Sequence, residues 1–247
     1  MRYRQQRFGT LECHVVDGFT HEHPPELGAV FCHGFGAPGS DLAPLAQAIL
    51  QAQPELSERV QFLFPEAPLN LADLGMPGGR AWWPLSLQKV HAQLSAGRIH
   101  EVRETIPEGI DEARNALRDA IDAWRKAAGL ELERVVLGGF SQGAMITLEL
   151  TAALETYPAG LIVLSGTLIR ETAWRQGFAR KHGLPVLQTH GRYDMVLPYL
   201  GGAWLREILE EAAVDLRFFD FAGGHEIPWE ALEEVGRFLL QRITTGG

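Results

Sequence analysis

The chain has little cysteine, no long apolar run, no compositionally distinct linker and fewer basic than acidic residues. Two cysteines, Cys13 and Cys32, in 247 residues exclude a disulfide-stapled scaffold, and both stand in apolar, strand-like surroundings that suit reduced packing residues. The longest apolar run, residues 160–169, is broken by Ser165, Gly166 and Thr167 and falls well short of the roughly 20 residues of a membrane span. The basic opening, Met1-Arg2-Tyr3-Arg4-Gln5-Gln6-Arg7, leads into no apolar stretch of signal-peptide length. A cytoplasmic protein without stable membrane insertion is therefore expected. Lys plus Arg number 22 against 31 Asp plus Glu, a formal charge of −9, which disfavours nucleic acid as a partner. With no linker and no repeat at fixed period, one domain spanning 1–247 is expected.

What is present is a large apolar share. Hydrophobic residues make up 46% and charged residues 21%, the composition of a globular chain with a sizeable core. Short β-branched runs at 29–32, 60–64, 134–137, 160–164, 185–189 and 216–221 alternate with helical patterns, which implies an α/β fold: a mostly parallel central sheet with helices on both faces. Residues 3–8 and 11–16 read as a hairpin turning at Gly9-Thr10, which adds an antiparallel N-terminal edge. Ala113, Leu117, Ile121, Trp124 and Ala128 recur at helical spacing, with Thr105-Ile-Pro-Glu108 as a capping box and Gly129 as the stop. Pro228 opens a last helix, in which Trp229, Leu232, Val235, Leu239 and Ile243 are expected to face the core before Thr-Thr-Gly-Gly frays. Residues 142–154 are apolar on nearly every side and should form the most buried helix.

Between the strand at 134–137 and that helix lies Gly139-Phe140-Ser141-Gln142-Gly143, a G-x-S-x-G pattern in a strand-to-helix context. Six serines and 27 glycines predict only about 0.07 such matches by chance. The spacing has a mechanical reason: a serine is exposed on so sharp a turn only if the residues two before and two after it lack side chains. A base and an orienting carboxylate must then reach the same sheet edge. Of nine histidines, His225 follows the 216–221 strand in Ala222-Gly-Gly-His-Glu226 and is placed for the base. His190 and His33 each precede a glycine at a strand end and suit supporting roles. His14, His91, His100 and His182 default to surface or packing positions. His21-Glu22-His23 has metal-ligand spacing but no third ligand nearby, so no metal is assigned. Asp194 lies just past the 185–189 strand, whereas Asp215 and Asp220 do not sit in strand-exit loops. The order Ser141, Asp194, His225 matches the nucleophile, acid and base order of this kind of elbow. Backbone N–H groups of Phe35, in the His33-Gly-Phe-Gly36 loop, and of Gln142 are the candidate oxyanion donors.

These segments resemble the phospholipase/carboxylesterase family of α/β-hydrolases, which includes acyl-protein thioesterases and small bacterial carboxylesterases. The resemblance rests on Phe31-Cys-His-Gly-Phe-Gly36, Leu137-Gly-Gly-Phe-Ser-Gln-Gly-Ala-Met145, Leu164-Ser-Gly166, Thr189-His-Gly-Arg-Tyr-Asp194 and Gly223-Gly-His-Glu-Ile-Pro228, with Arg80-Ala-Trp-Trp83 similar to the family's Trp-aromatic segment. It implies the α/β-hydrolase fold, with Ser141 as nucleophile, Asp194 as acid and His225 as base, and it requires no cofactor. The chain departs from the family pattern at residues 37–41, at Arg192, Tyr193 and Met195, and at Pro84-Leu85. The implied reaction is hydrolysis of a small-molecule ester or thioester through an acyl-serine. A carboxylesterase is the first expectation. A thioesterase or lysophospholipase acting on long acyl chains is the alternative, and a silent hydrolase-fold binding protein is the rival from another class. Segment 69–100, with Met76, Trp82 and Trp83 as candidate substrate contacts, is read as an acyl-site wall or lid, or else as cover for the core. Members of the family are often dimeric, so a homodimer is among the implied assemblies.

Overall fold

Alternating strands and helices build one large sheet and its two covering layers. The computed structural model describes residues 1–21 and 23–244. In chain order the elements are β1 (Arg2–Phe8), β2 (Leu11–Asp17), β3 (Leu27–Cys32), α1 (Ala43–Ala52), β4 (Val60–Pro65), β5 (Leu69–Asn70), β6 (Arg80–Ala81), α2 (Leu87–Ser95), α3 (Ile99–Arg103) and α4 (Ile110–Ala128). They continue as β7 (Val135–Phe140), α5 (Gln142–Ala153), β8 (Gly160–Leu164), α6 (Glu171–Phe178), β9 (Pro185–Gly191), α7 (Tyr199–Glu211), β10 (Asp215–Phe221) and α8 (Trp229–Thr244). Eight strands pair in the order β1-β2-β4-β3-β7-β8-β9-β10. From β4 to β10 the neighbours are parallel, and β1 with β2 and β2 with β4 are antiparallel. The sheet is thus mostly parallel with an antiparallel N-terminal edge, as the strand pattern implied.

Strand alternation sends side chains into two separate cores. In β3, Leu27, Ala29 and Phe31 share a core with Ile49 of α1 and Leu232 and Val235 of α8. Val30 and Cys32 of the same strand share the opposite core with Leu117 of α4, Ile146 of α5, Trp174 of α6 and Leu205 of α7. Helix α5 is buried from Gln142 to Ala152, which explains why its sequence shows no polar stripe. Truncating Leu148 or Leu150 there to alanine would cost about 2–5 kcal/mol. On the open edge, β1 carries Arg2, Arg4 and Arg7, and such charges discourage pairing with another chain. Arg2 and Arg4 each bond the buried Asp17 carboxylate at 2.7 Å, pinning the hairpin register.

Two local expectations are corrected. The Thr105-Ile-Pro-Glu108 box does not cap α4: that helix begins at Ile110, after Gly109 at φ 82°. The Thr105 hydroxyl instead donates to the Glu101 carbonyl at 2.8 Å and closes α3, and the left-handed Gly109 prevents a continuous helix from residue 106. Trp229 does not face the core. It is 48% exposed, and its indole N–H donates to Glu233 one turn later at 3.0 Å. Leu232, Val235, Leu239 and Ile243 are buried as expected, and Gly129 stops α4 at φ 72°. Residues 245–247 of the expected frayed end, and Glu22 of the His21-Glu22-His23 pattern, lie outside the described residues. His23 bonds the Pro24 carbonyl at 3.0 Å and Glu58 at 3.2 Å. Cys13 and Cys32 are free and buried. Burial pushes the Cys13 thiol up to about 12 and raises Cys32 as well, so both are poor nucleophiles. Among the described residues no helix is long and apolar enough to cross a membrane.

Candidate active site

The C-terminal ends of β3, β7, β9 and β10 lie along one edge of the sheet and deliver His33, Ser141, Asp194 and His225. Ser141 sits between β7 and α5 at φ 57° and ψ −121°, a conformation that costs a side-chain-bearing residue about 1–3 kcal/mol. Its N–H donates to the Leu164 carbonyl of β8 at 2.9 Å, so the neighbouring strand holds the turn. The flanking glycines are required by space. A Cβ at Gly143 would lie 1.9 Å from the Cys32 carbonyl oxygen and 2.6 Å from that of His33, and one at Gly139 would lie 2.4 Å from the Gly143 backbone. A Cβ at Gly34 would lie 3.3 Å from the Ser141 Cβ, so the loop after β3 packs directly on the serine.

His225 and Asp194 are brought together from separate loops. The His225 Nδ1–H donates to Asp194 Oδ2 at 2.7 Å, which leaves Nε2 as the accepting ring nitrogen. The imidazole packs on Phe140, next to the serine, with ring centroids 4.7 Å apart. Asp194 Oδ1 accepts the N–H groups of Val196 at 2.9 Å and Leu197 at 2.8 Å. Burial pushes the Asp194 carboxyl up, but the bonds from His225, Leu197 and Val196 outweigh it and hold the group below its ordinary value. The loop carrying His225 is tied to the Asp194 turn by Arg192 N–H to Phe221 and Tyr193 N–H to Gly223, each at 2.9 Å. Asp220 is engaged elsewhere: Arg192, burial notwithstanding, and Tyr199 hold its carboxyl at about 2.

The loop after β3 is fixed by its own buried histidine. His33 Nδ1–H donates to the Gly34 carbonyl at 2.8 Å and Nε2 accepts the Ala67 N–H at 3.1 Å. Burial holds the ring below its ordinary pKa and so keeps it neutral for those two opposite roles. The Gly36 N–H is taken by the Arg80 carbonyl at 2.8 Å. Among the described residues, the N–H groups of Phe35 and Gln142 donate to no protein acceptor. The Gln142 side chain has a task that the sequence did not suggest: Oε1 accepts the Trp82 N–H at 3.0 Å and Nε2 donates to the Trp83 carbonyl at 2.8 Å.

Beside the elbow lies an apolar cavity of about 390 Å³. Met145, in the first turn after Ser141, and Leu197, whose N–H holds Asp194, both line it, together with Leu94, Val102 and Trp204. Trp83 belongs to this wall. Trp82 does not: its indole N–H donates to the His33 carbonyl at 3.0 Å and the ring is buried under the loop. Met76 is likewise outside the cavity wall; its sulfur would meet a Cβ at Gly36 at 3.5 Å, which places it against the loop after β3. His91, expected at a surface or packing position, is bonded into the frame of the site. From α2, its Nε2–H donates to the Val196 carbonyl at 3.0 Å, tying the cavity wall to the Asp194 turn.

A serine on a strained strand-to-helix turn, with an Asp-bonded histidine arriving from the last strand of this sheet order, defines an α/β-hydrolase. Residues 20–243 match the phospholipase/carboxylesterase family, and the chain belongs to it. It is 25% identical over 236 residues to the acyl-protein thioesterase 1 of Saccharomyces cerevisiae, covering 90% of this chain and 95% of that one. It is 27% identical over 225 residues to the Candida albicans protein of the same name, covering 87% and 91%. Among solved structures it is similar to esterase PE8, with a TM-score of 0.75 at 25% identity over 92% of this chain and 96% of that one. A Mesorhizobium loti carboxylesterase shares the fold, with a TM-score of 0.73 at 15% identity over 97% and 99%.

Proposed function

We propose that this hydrolase cleaves carboxylic esters of apolar acyl chains through an acyl-serine on Ser141, with His225 as base and Asp194 as its orienting acid. His225 Nε2 takes the Ser141 hydroxyl proton as the oxygen attacks the carbonyl. The tetrahedral oxyanion is held by the N–H groups of Phe35 and Gln142, one of which opens a helix whose dipole favours negative charge. His225 then gives its proton to the leaving alcohol. In the second half a water loses a proton to His225, attacks the acyl carbonyl, and Ser141 departs with that proton. Neither half requires a cofactor.

The observation that carries the substrate class is the cavity, because Met145, in the first turn of the helix after Ser141, and Leu197, whose N–H bonds Asp194, both line it. An acyl chain entering it buries methylenes at up to ~0.8 kcal/mol each, about fourfold in kcat/KM per carbon. A series of p-nitrophenyl esters of increasing chain length tests this. The expected profile climbs from acetate until the cavity is filled and then levels or falls, whereas a profile flat from acetate upward would remove the cavity from the reaction. A thioesterase reading draws support from the same apolar wall and from the likeness to acyl-protein thioesterases. An acyl thioester and an acyl ester of equal chain length, assayed side by side, separate the two by which gives the higher kcat/KM.

A further inference from the structure

We propose that His190 is a positioning residue that locks the Asp194 turn and holds its own imidazole N–H close to the carboxylate that orients His225. The inference rests on the reading of Ser141, Asp194 and His225 as the reacting triad. His190 lies at the end of β9 and is 0% exposed. Its Nε2 is 2.9 Å from the Leu197 carbonyl oxygen, which can only accept, so that nitrogen carries the proton. The same nitrogen is 3.5 Å from Asp194 Oδ2, the oxygen that accepts from His225.

Leu197 is consequently gripped on both sides of its Cα, through two successive peptide groups. Its N–H points at Asp194 Oδ1 at 2.8 Å, and its carbonyl is held by His190. Releasing the carbonyl loosens the backbone on the far side of the Leu197 Cα, so the Leu197 N–H, a charge-assisted donor to the carboxylate, is no longer held in its fixed orientation.

The opposite side of the His190 ring is closed by the protein. Nδ1 is buried without a hydrogen bond of good geometry, although the Gly166 backbone acts on the ring, and a Cβ at Gly202 of α7 would lie 2.5 Å from Nδ1. Tyr199 meets the ring edge-on at 5.9 Å. The titratable groups around it are Asp194, His225 and Tyr199. Burial keeps the pKa of the ring below its ordinary value, against the raising influence of the Leu197 carbonyl and Asp194. The neutral ring offers Asp194 a dipole, and the formal countercharge is left to the imidazolium that forms on His225 during the reaction.

The test compares His190→Leu, His190→Gln and His190→Asn by kcat per active site, counted by fluorophosphonate labelling so that unfolded protein does not enter the rate. Glutamine can place an N–H where Nε2 stands, and asparagine places one only where Nδ1 stands. Losing a hydrogen bond to a charged group predicts a fall in kcat of about tenfold to a hundredfold in His190→Leu and His190→Asn, with KM within about twofold of wild type. His190→Gln recovers most of the rate. The downfield NMR signal of the His225 Nδ1 proton broadens or disappears in the leucine variant and returns in the glutamine variant. Wild-type kcat per labelled site in His190→Leu, or equal losses in the glutamine and asparagine variants, overturns the inference while leaving the triad standing. A wild-type protein that neither labels at Ser141 nor turns over esters overturns the triad reading and this inference with it.

Discussion

Gly143→Ala puts the geometry of the serine turn under direct stress. The added methyl lies 1.9 Å from the Cys32 carbonyl oxygen, 2.4 Å from the Cys32 carbonyl carbon and 2.6 Å from the His33 oxygen. All three are backbone atoms at the exit of β3, and none can swing aside as a side chain would. Restoring ordinary contact requires α5 and the end of β3 to separate by about 1.5 Å. The same segment runs on into Gly34 and Phe35, so a candidate oxyanion donor moves relative to Ser141 as the clash is relieved. A misplacement of about 1 Å costs on the order of a hundredfold in rate, and overpacking of this kind typically costs about 1–3 kcal/mol of stability. For a chain of this size that lowers Tm by roughly 2–12 °C. The assays are p-nitrophenyl ester hydrolysis, normalised to fluorophosphonate-reactive sites, and calorimetric melting. A variant with wild-type turnover and wild-type Tm would refute the reasoning, because it would mean that the elbow and the loop after β3 are not in register through Gly143.

Asp194→Asn preserves the shape of the carboxyl but cannot hold the same His225 tautomer. A fall in kcat of about 10⁴ is expected, and a loss under tenfold in steady-state assays would deny Asp194 the orienting role. Leu94→Trp adds bulk to the cavity wall and should shorten the optimal acyl chain while sparing acetate ester turnover, as read from the same ester series. Stability should fall in two stages on acidification, because it rises with pH wherever the unfolded chain binds more protons. Burial holds His33 and His190 below their ordinary pKa in the fold, so stability is lost as pH drops from about 6.5, the unfolded histidine value, through their folded values. Asp17, pushed up by burial but held down more strongly by Arg2 and Arg4, and Asp194 also lie below their ordinary values. A second loss follows below about pH 4. Urea midpoints at pH 8, 5.5 and 3.5 check the order, and a midpoint higher at pH 5.5 than at pH 8 would contradict it.

The parts of the site that read directly from sequence are those encoded within one short segment. Strand, turn and helix around Ser141 occupy consecutive residues, and their glycine spacing follows from sterics that any such turn obeys. Asp194 and His225 were recognisable because each falls in a loop just past a strand, although their meeting at 2.7 Å depends on the sheet that brings β9 beside β10. The cavity was legible only in part, through Trp83 and Leu94 of the 69–100 segment. Its wall is assembled from Trp83, Leu94, Val102, Met145, Leu197 and Trp204, which come from separate helices and loops and share no period. Trp82 and Trp83 look equivalent as letters, yet adjacent side chains point apart, and one packs under the His33 loop while the other faces the cavity. Thr105-Ile-Pro-Glu108 satisfied a local capping rule, but the preceding α3 used the threonine first, and Gly109 reset the start of α4.

The claim at the centre is that Ser141 carries the acyl group. Intact-mass and peptide mass spectrometry after reaction with a fluorophosphonate, alongside ester turnover of wild type and Ser141→Ala, test it most directly. A single adduct on Ser141, and loss of both adduct and turnover in Ser141→Ala at an unchanged Tm, is the expected result. An adduct on another residue, or ester hydrolysis that survives in Ser141→Ala, would contradict it.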